Sequence, residues 1–193
     1  MRTGRGTNPW QAQGYIPEKI AQNFGRWTMH IEELTSKASF DFLSANRLGR
    51  LACVNQSQPY ITPIHCVYHD SWIYGFSTVG RKVEWLRANP LACLEVDAVE
   101  SPQRWTSVIV LGRYEELPDT REGFAAREFA FKLLQERLPN WWEPGYARTI
   151  IDGAERPLVP IYYRISVSEI SGHRAVHDGT QSLSSFGSVQ SEI

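Results

Sequence analysis

Six short apolar runs, at residues 50–54, 60–68, 72–76, 91–97, 106–115 and 159–170, follow one another along the chain with turn-rich breaks between them. This rhythm limits the possible folds more than any other feature of the sequence. Asn55-Gln-Ser-Gln-Pro59 separates the first two runs, and a His69-Asp70-Ser71 turn separates the next two. Spacing this tight suits antiparallel neighbours, because parallel strands need a crossover of a dozen residues or more. The run 106–115 is strongly β-branched, and Pro63 within the second run marks an edge or a bulge. The pattern predicts a mainly β (α+β) chain that closes as a small antiparallel barrel with a few flanking helices.

The helices are fewer. One starts near Thr35, with Ser36 as its cap and Phe40, Leu43 and Leu48 as its apolar stripe. A second covers 121–138, with Phe124, Phe131, Leu134 and Leu138 on one face. Asn140-Trp-Trp-Glu-Pro-Gly145 reads as a loop; its Trp141 and Trp142 either line a pocket mouth or bury against the barrel. Residues 1–30 form a loose arm carrying Trp10, Tyr15, Phe24 and Trp27, residues 31–174 form the domain, and the Ser-, Gly- and Gln-rich residues 175–193 are expected to be a disordered tail.

At 193 residues the chain suits one domain with a real core. A net charge of −1 gives no general attraction to nucleic acid or an anionic membrane. Cys53, Cys66 and Cys93 stand singly within apolar runs, which argues against a disulfide framework or a zinc cluster and for reduced thiols in a cytoplasmic protein. Neither a membrane-spanning apolar stretch nor a signal-peptide core is evident.

Residues 72–97 carry the chemistry. The strand 72–76 runs into Ser77 and Thr78, then Gly80, and two adjacent cations, Arg81 and Lys82, open a short helix that Asn89-Pro90 stops. Hydroxyls, open backbone N–H groups at a helix start and two positive charges together suit a phosphate monoester. The plainer alternative makes Ser77 and Thr78 helix caps and the two cations a solvated helix start. Cations are unfavourable at that end of the helix dipole unless an anion is bound.

The segment Phe76-Ser-Thr-Val-Gly-Arg-Lys82 with Asn89-Pro90 resembles the flavin-binding segment of the pyridoxamine 5′-phosphate oxidase-like family. Gly49-Arg-Leu-Ala, Pro59-Tyr-Ile-Thr-Pro-Ile-His65, Trp105-Thr-Ser-Val108, Gly112-Arg113 and Ile170-Ser-Gly172 are most similar to its nitroimidazole-resistance branch. The resemblance covers about residues 35–172 and implies a split β-barrel that dimerises and holds two FMN molecules at the subunit interface. It would place Ser77, Thr78, Arg81 and Lys82 on the FMN phosphate. Thr62, Pro63 and Ile64 would lie along the ring, and Ser107 would reach it from the partner subunit with Trp105 as a wall. Ser107 as an ordinary strand residue, and Trp105 and Trp85 as core or interface residues, are the plainer readings. Arg174-Ala-Val-His177-Asp178 only approximates the substrate-gripping run of the vitamin B6 oxidases, and their basic positions on the second strand are missing, which counts against that activity.

The implied function is an FMN-dependent oxidoreductase that passes electrons from NADH or NADPH to a small nitroaromatic or quinone acceptor. His65, beside the expected ring, is the candidate proton donor, although strand histidines more often simply pack. The alternatives are flavin binding or sensing without turnover, a deazaflavin (F420) cofactor in the same cradle, and haem, for which His65, His69, His173 and His177 are the available imidazoles.

Overall fold

Residues 29–137, 149–151, 153–156 and 160–177 are described by a computed structural model. Residues 30–176 form one compact unit; the other unit comprises 1–29 and 177–193, of which only Met29 and His177 are described. In chain order the elements are β1 (Met29–Glu33), α1 (Ser36–Ala45), β2 (Leu48–Asn55), β3 (Gln58–His69), β4 (Trp72–Ser77), α2 (Arg81–Ala88), β5 (Leu91–Ser101), β6 (Arg104–Glu116), α3 (Phe124–Arg137), β7 (Thr149–Ile151), β8 (Ala154–Arg156) and β9 (Ile161–His177).

The main sheet has the order β1-β9-β4-β3-β2-β5-β6, and β6 also pairs with β9, which closes the strands into an antiparallel barrel. Closure rests on the length of β9. Residues 161–166 pair with β4, and the same strand runs along β6 from Glu116↔Tyr163 to Trp105↔Ala175. Alternation along the strands sends Leu51, Cys53, Leu94, Val96, Val108, Val110, Tyr163 and Ile165 inward, where Leu43 of α1 and Leu86 of α2 join them. A second cluster lies outside the barrel, where Ala130, Leu133 and Leu134 of α3 cover Val67, Tyr74 and Tyr162.

Two hairpins explain the tight strand spacing. Gln56 and Ser57 turn β2 into β3, and Asp70 and Ser71 turn β3 into β4; all four have positive φ, between 45° and 66°. Positive φ at both central residues is what a two-residue loop needs to match strand twist. Asparagine and glycine adopt it far more readily than glutamine and serine. Gln56→Asn combined with Ser57→Gly is therefore expected to raise stability by about 1 kcal/mol, read from the urea midpoint at unchanged slope.

Several expectations need correction. Thr35, not Ser36, caps α1: its extended backbone (φ −62°, ψ 155°) lets Oγ1 accept from the Ala38 N–H at 3.2 Å. Leu48 belongs to β2 rather than the helix stripe, and it is exposed. In α3 the buried face is Ala130, Leu133 and Leu134, while Phe124 is 65% exposed. Leu138 and the 140–145 loop lie outside the described residues. β9 continues to His177, past the expected start of the tail, with Ala175 fully buried against the barrel. The β7–β8 hairpin, turning through Gly153 at φ 76°, was not foreseen.

Candidate functional site

β3 and β4 pair only between Cys66↔Gly75 and His69↔Trp72. Towards the start of β3 the two strands separate. Pro63 lies in this stretch, where its missing N–H costs no ladder bond, so the edge expected at Pro63 is present. The separation opens a concavity of about 510 Å³ lined by Leu48, Pro63, Ile64, His65, Phe76, Ser77, Thr78 and Lys82. Leu48 is there because it stands opposite His65 in the β2–β3 register. Sequence reasoning missed it: an apolar residue just after a helix reads as part of that helix.

The chemistry of the concavity sits at its α2 end. Gly80 is the N-cap of α2, and no side chain caps the helix, so its first N–H groups remain open. The hydroxyls of Ser77 and Thr78 are not caps; Ser77 Oγ donates to the Thr78 carbonyl at 3.1 Å. Gly80 has extended backbone that any residue adopts, and a Cβ there would meet nothing within 4 Å. The half-buried Lys82 points into the concavity. Burial pulls its ammonium below the ordinary lysine value of 10.5, and the opposing influence is the Cys53 thiol rather than a carboxylate. A buried cation without a counter-ion is costly, and an anion at the open helix start removes that cost.

The other predicted residues lie elsewhere. Arg81 does not line the concavity; its guanidinium sits over the Tyr60 ring, 5.5 Å from the centroid. Thr62 is half-buried on β3, next to but not among the lining residues. Ser107 Oγ lies 3.4 Å from Glu95 Oε1 on the outer face of β5–β6. Trp105 lines a separate hollow of about 540 Å³ with Arg104, Thr106 and Arg174. β3 and β6 are three strands apart in the sheet order, a lateral distance of roughly 14 Å. Ser107 is not among the residues that line the concavity.

The histidines do not converge. His65 lines the concavity. His69 ends β3, 3.2 Å from Asp70 and packed on Phe129, and His173 is exposed on β9 opposite Ser107. The side chain of His177 lies outside the described residues. Among the described residues no group of three or more His, Cys, Asp or Glu side chains is placed to hold a metal ion. Cys66 is fully buried, its thiol pushed up to about 12 by desolvation, so it takes no part in thiolate chemistry at neutral pH.

A closed antiparallel barrel in which one hairpin splays open is a split barrel. Residues 35–174 match the family described as pyridoxamine 5′-phosphate oxidase, and the chain belongs to that family. An uncharacterised protein of Rhizobium meliloti (strain 1021) is 35% identical over 147 residues, covering 76% of this chain and 97% of its own. The crystal structure of a FAD-binding protein from Mesorhizobium loti superposes with a TM-score of 0.61 at 36% identity, covering 77% of this chain and 99% of that one. A protein from Bacteroides thetaiotaomicron assigned to 5-nitroimidazole antibiotic resistance shares the fold, with a TM-score of 0.56 at 15% identity, covering 78% of this chain and 92% of that one. The expected split barrel is thus found. No helix among the described residues is long and apolar enough to cross a membrane.

Proposed function

We propose that this protein binds FMN, with the phosphate in the cradle of Ser77, Thr78, Lys82 and the start of α2 and the ring against Pro63, Ile64 and His65. The observation that carries this reading is the half-buried Lys82 ammonium, with no carboxylate partner among the described residues, at an uncapped helix start. The likeness to a FAD-binding protein of Mesorhizobium loti supports a flavin, and a single cradle suits one terminal phosphate. The flavin would supply hydride or electron transfer. The chain's own groups bind the phosphate, wall the ring with apolar strand surface and place the His65 imidazole at its edge. Electrons would come from NADH or NADPH and pass to a small nitroaromatic or quinone acceptor.

The protein acts as a homodimer in this reading. The outer face of β2, β5 and β6 is uncovered by any described helix, and it carries exposed Val54, Leu91, Ile109 and Leu111 around a network in which Arg50 bonds Glu95 and Asp97. Leu48, which lines the concavity, is exposed on the same strand. A second copy laid face to face would bring the partner subunit's Ser107 and Trp105 over the ring.

The absorption spectrum of the purified protein after FMN addition tests the cofactor, with the bound species identified by mass. A flavin spectrum is expected; protein that stays colourless overturns the reading, and a Soret band or a mass matching F420 would replace FMN with haem or the deazaflavin. Steady-state oxidation of NADH or NADPH with added acceptor then separates an oxidoreductase from a flavin sensor.

FMN affinity should also depend on pH. Phosphate binding raises the Lys82 pKa, so this contribution is complete below the free-state value and is lost as pH rises through the bound-state value. Because burial lowers the free-state value, the loss begins below the ordinary lysine range. A plot of FMN Kd against pH is expected to rise there, and Lys82→Arg to flatten it, since guanidinium stays charged.

A further inference from the structure

We infer that Tyr60 is a positioning residue for the phosphate cradle. This rests on the flavin reading above and deepens it. Tyr60 stands on β3 opposite Cys53 and is half-buried against the barrel core. Its ring is held from two sides by one face of α2. The Arg81 guanidinium lies over it at 5.5 Å, and the Trp85 ring meets it edge-on at 5.6 Å with an interplanar angle of 65°. Arg81 and Trp85 are four residues apart, so they share a helix face, and Lys82 is turned about 100° from Arg81. Gripping Tyr60 with that face therefore sets the rotation of the helix and aims Lys82 at the concavity.

The grip sits on the outward side of the first turn of α2. The far end of the helix is tied by Asn89, whose Nδ2 donates to the Val54 carbonyl at 3.1 Å and whose Oδ1 accepts from the Leu91 N–H at 3.3 Å. Val83 and Leu86 seat its inner face in the core. The first turn has Gly80 before it and no capping side chain; Val83 anchors its inner side in the core, and the Arg81–Tyr60 contact holds its outer side. Without Tyr60 the cradle residues would all be present, but the open N–H groups and the Lys82 ammonium would no longer point at one place.

The test compares FMN with riboflavin, which lacks the phosphate, by fluorescence quenching on the full chain. Tyr60→Leu is expected to weaken FMN about tenfold and leave riboflavin within about twofold, because a cation–π and ring contact of this kind is lost. Tyr60→Phe, which keeps the ring, is expected to match the wild type for both. Double-variant analysis gives the second arm: Tyr60→Leu with Arg81→Ala should cost no more than the larger single loss, since the two side chains act as a unit. Additive losses, an unchanged ratio of FMN to riboflavin affinity in Tyr60→Leu, or a Phe variant as weak as the Leu variant would each overturn the inference. If Tyr60→Leu fails to fold by circular dichroism, that also overturns it, because the residue is then structural for the barrel rather than for the cradle. Wild-type protein that binds neither flavin removes the flavin reading itself, a different result from all of these.

Discussion

Gly112→Ala is expected to cost roughly 3 kcal/mol or more, enough to lower the melting temperature by about 10 °C. Gly112 lies on β6 at the bulge where the β6–β9 register shifts, paired with Ala92 on one side and Val167 on the other. A Cβ there would be driven into the carbonyl oxygen of Ser166, with the Ile165 side chain 2.8 Å away. The obstacle is backbone, so relief requires moving β9, and β9 is the strand that closes the barrel against both β4 and β6. Gly75→Ala gives a useful contrast. Its Cβ would strike the ring of fully buried Tyr163, a side chain rather than backbone. Shortening Tyr163 to Leu should recover part of the loss in Gly75→Ala, whereas no single substitution should recover Gly112→Ala. Urea melts of the three variants decide this, and a Gly112→Ala protein as stable as the wild type would mean that the bulge is softer than its contacts suggest.

The architecture was legible because tight turns leave little choice of partner. The interval of two positive-φ residues at Gln56-Ser57 and again at Asp70-Ser71 fixes β2–β3 and β3–β4 as hairpins, and apolar runs of the right length then place the barrel. What escaped was whatever depends on which side of an element faces another. Leu48, Val54, Leu91, Ile109 and Leu111 are as apolar as the core residues between them, so hydropathy cannot tell the inner face of β2, β5 and β6 from the outer one. In α3 Phe124 and Phe131 suggest the buried face; Phe131 does pack on the edge of the cluster, but the fully buried positions are Ala130, Leu133 and Leu134, and Phe124 is left outside. β1 could not be read because its pattern is exposed throughout and its place comes from the free edge of β9.

The candidate site was half-legible for a similar reason. Ser77, Thr78 and Lys82 come from consecutive sequence, and local geometry alone brings them together. Pro63, Ile64 and His65 join them because the register of one hairpin dictates it. Ser107 and Trp105 lie away from the concavity within the chain, on β6, which strand register alone does not bring to it. The placement of Arg81 over the Tyr60 ring had no sequence signal, since adjacent Arg and Lys at a helix start look equivalent until helix rotation separates their faces.

Lys82→Met should weaken FMN binding by about 10- to 100-fold and leave riboflavin nearly unchanged, the loss expected when one charge-assisted hydrogen bond to a phosphate disappears. The stability effect should have the opposite sign. In the free protein Lys82 is half-buried, its ammonium is disfavoured by desolvation, and no carboxylate among the described residues offsets that cost. Methionine keeps the length and apolar stem without the charge, so the flavin-free variant is expected to be as stable as the wild type or more stable by about 1 kcal/mol. Adding FMN should then reverse the order of the two melting temperatures, because ligand stabilises the native state in proportion to how far its concentration exceeds Kd. A residue present for structure would lose stability on substitution with and without flavin. A residue retained for an anion loses only in its presence, as sites that hold uncompensated charge for function generally do. Thermal melts of both proteins, with and without saturating FMN, separate the two cases. If Lys82→Met were destabilised in the absence of flavin and bound FMN as the wild type does, the cradle would have to be sought elsewhere in the barrel.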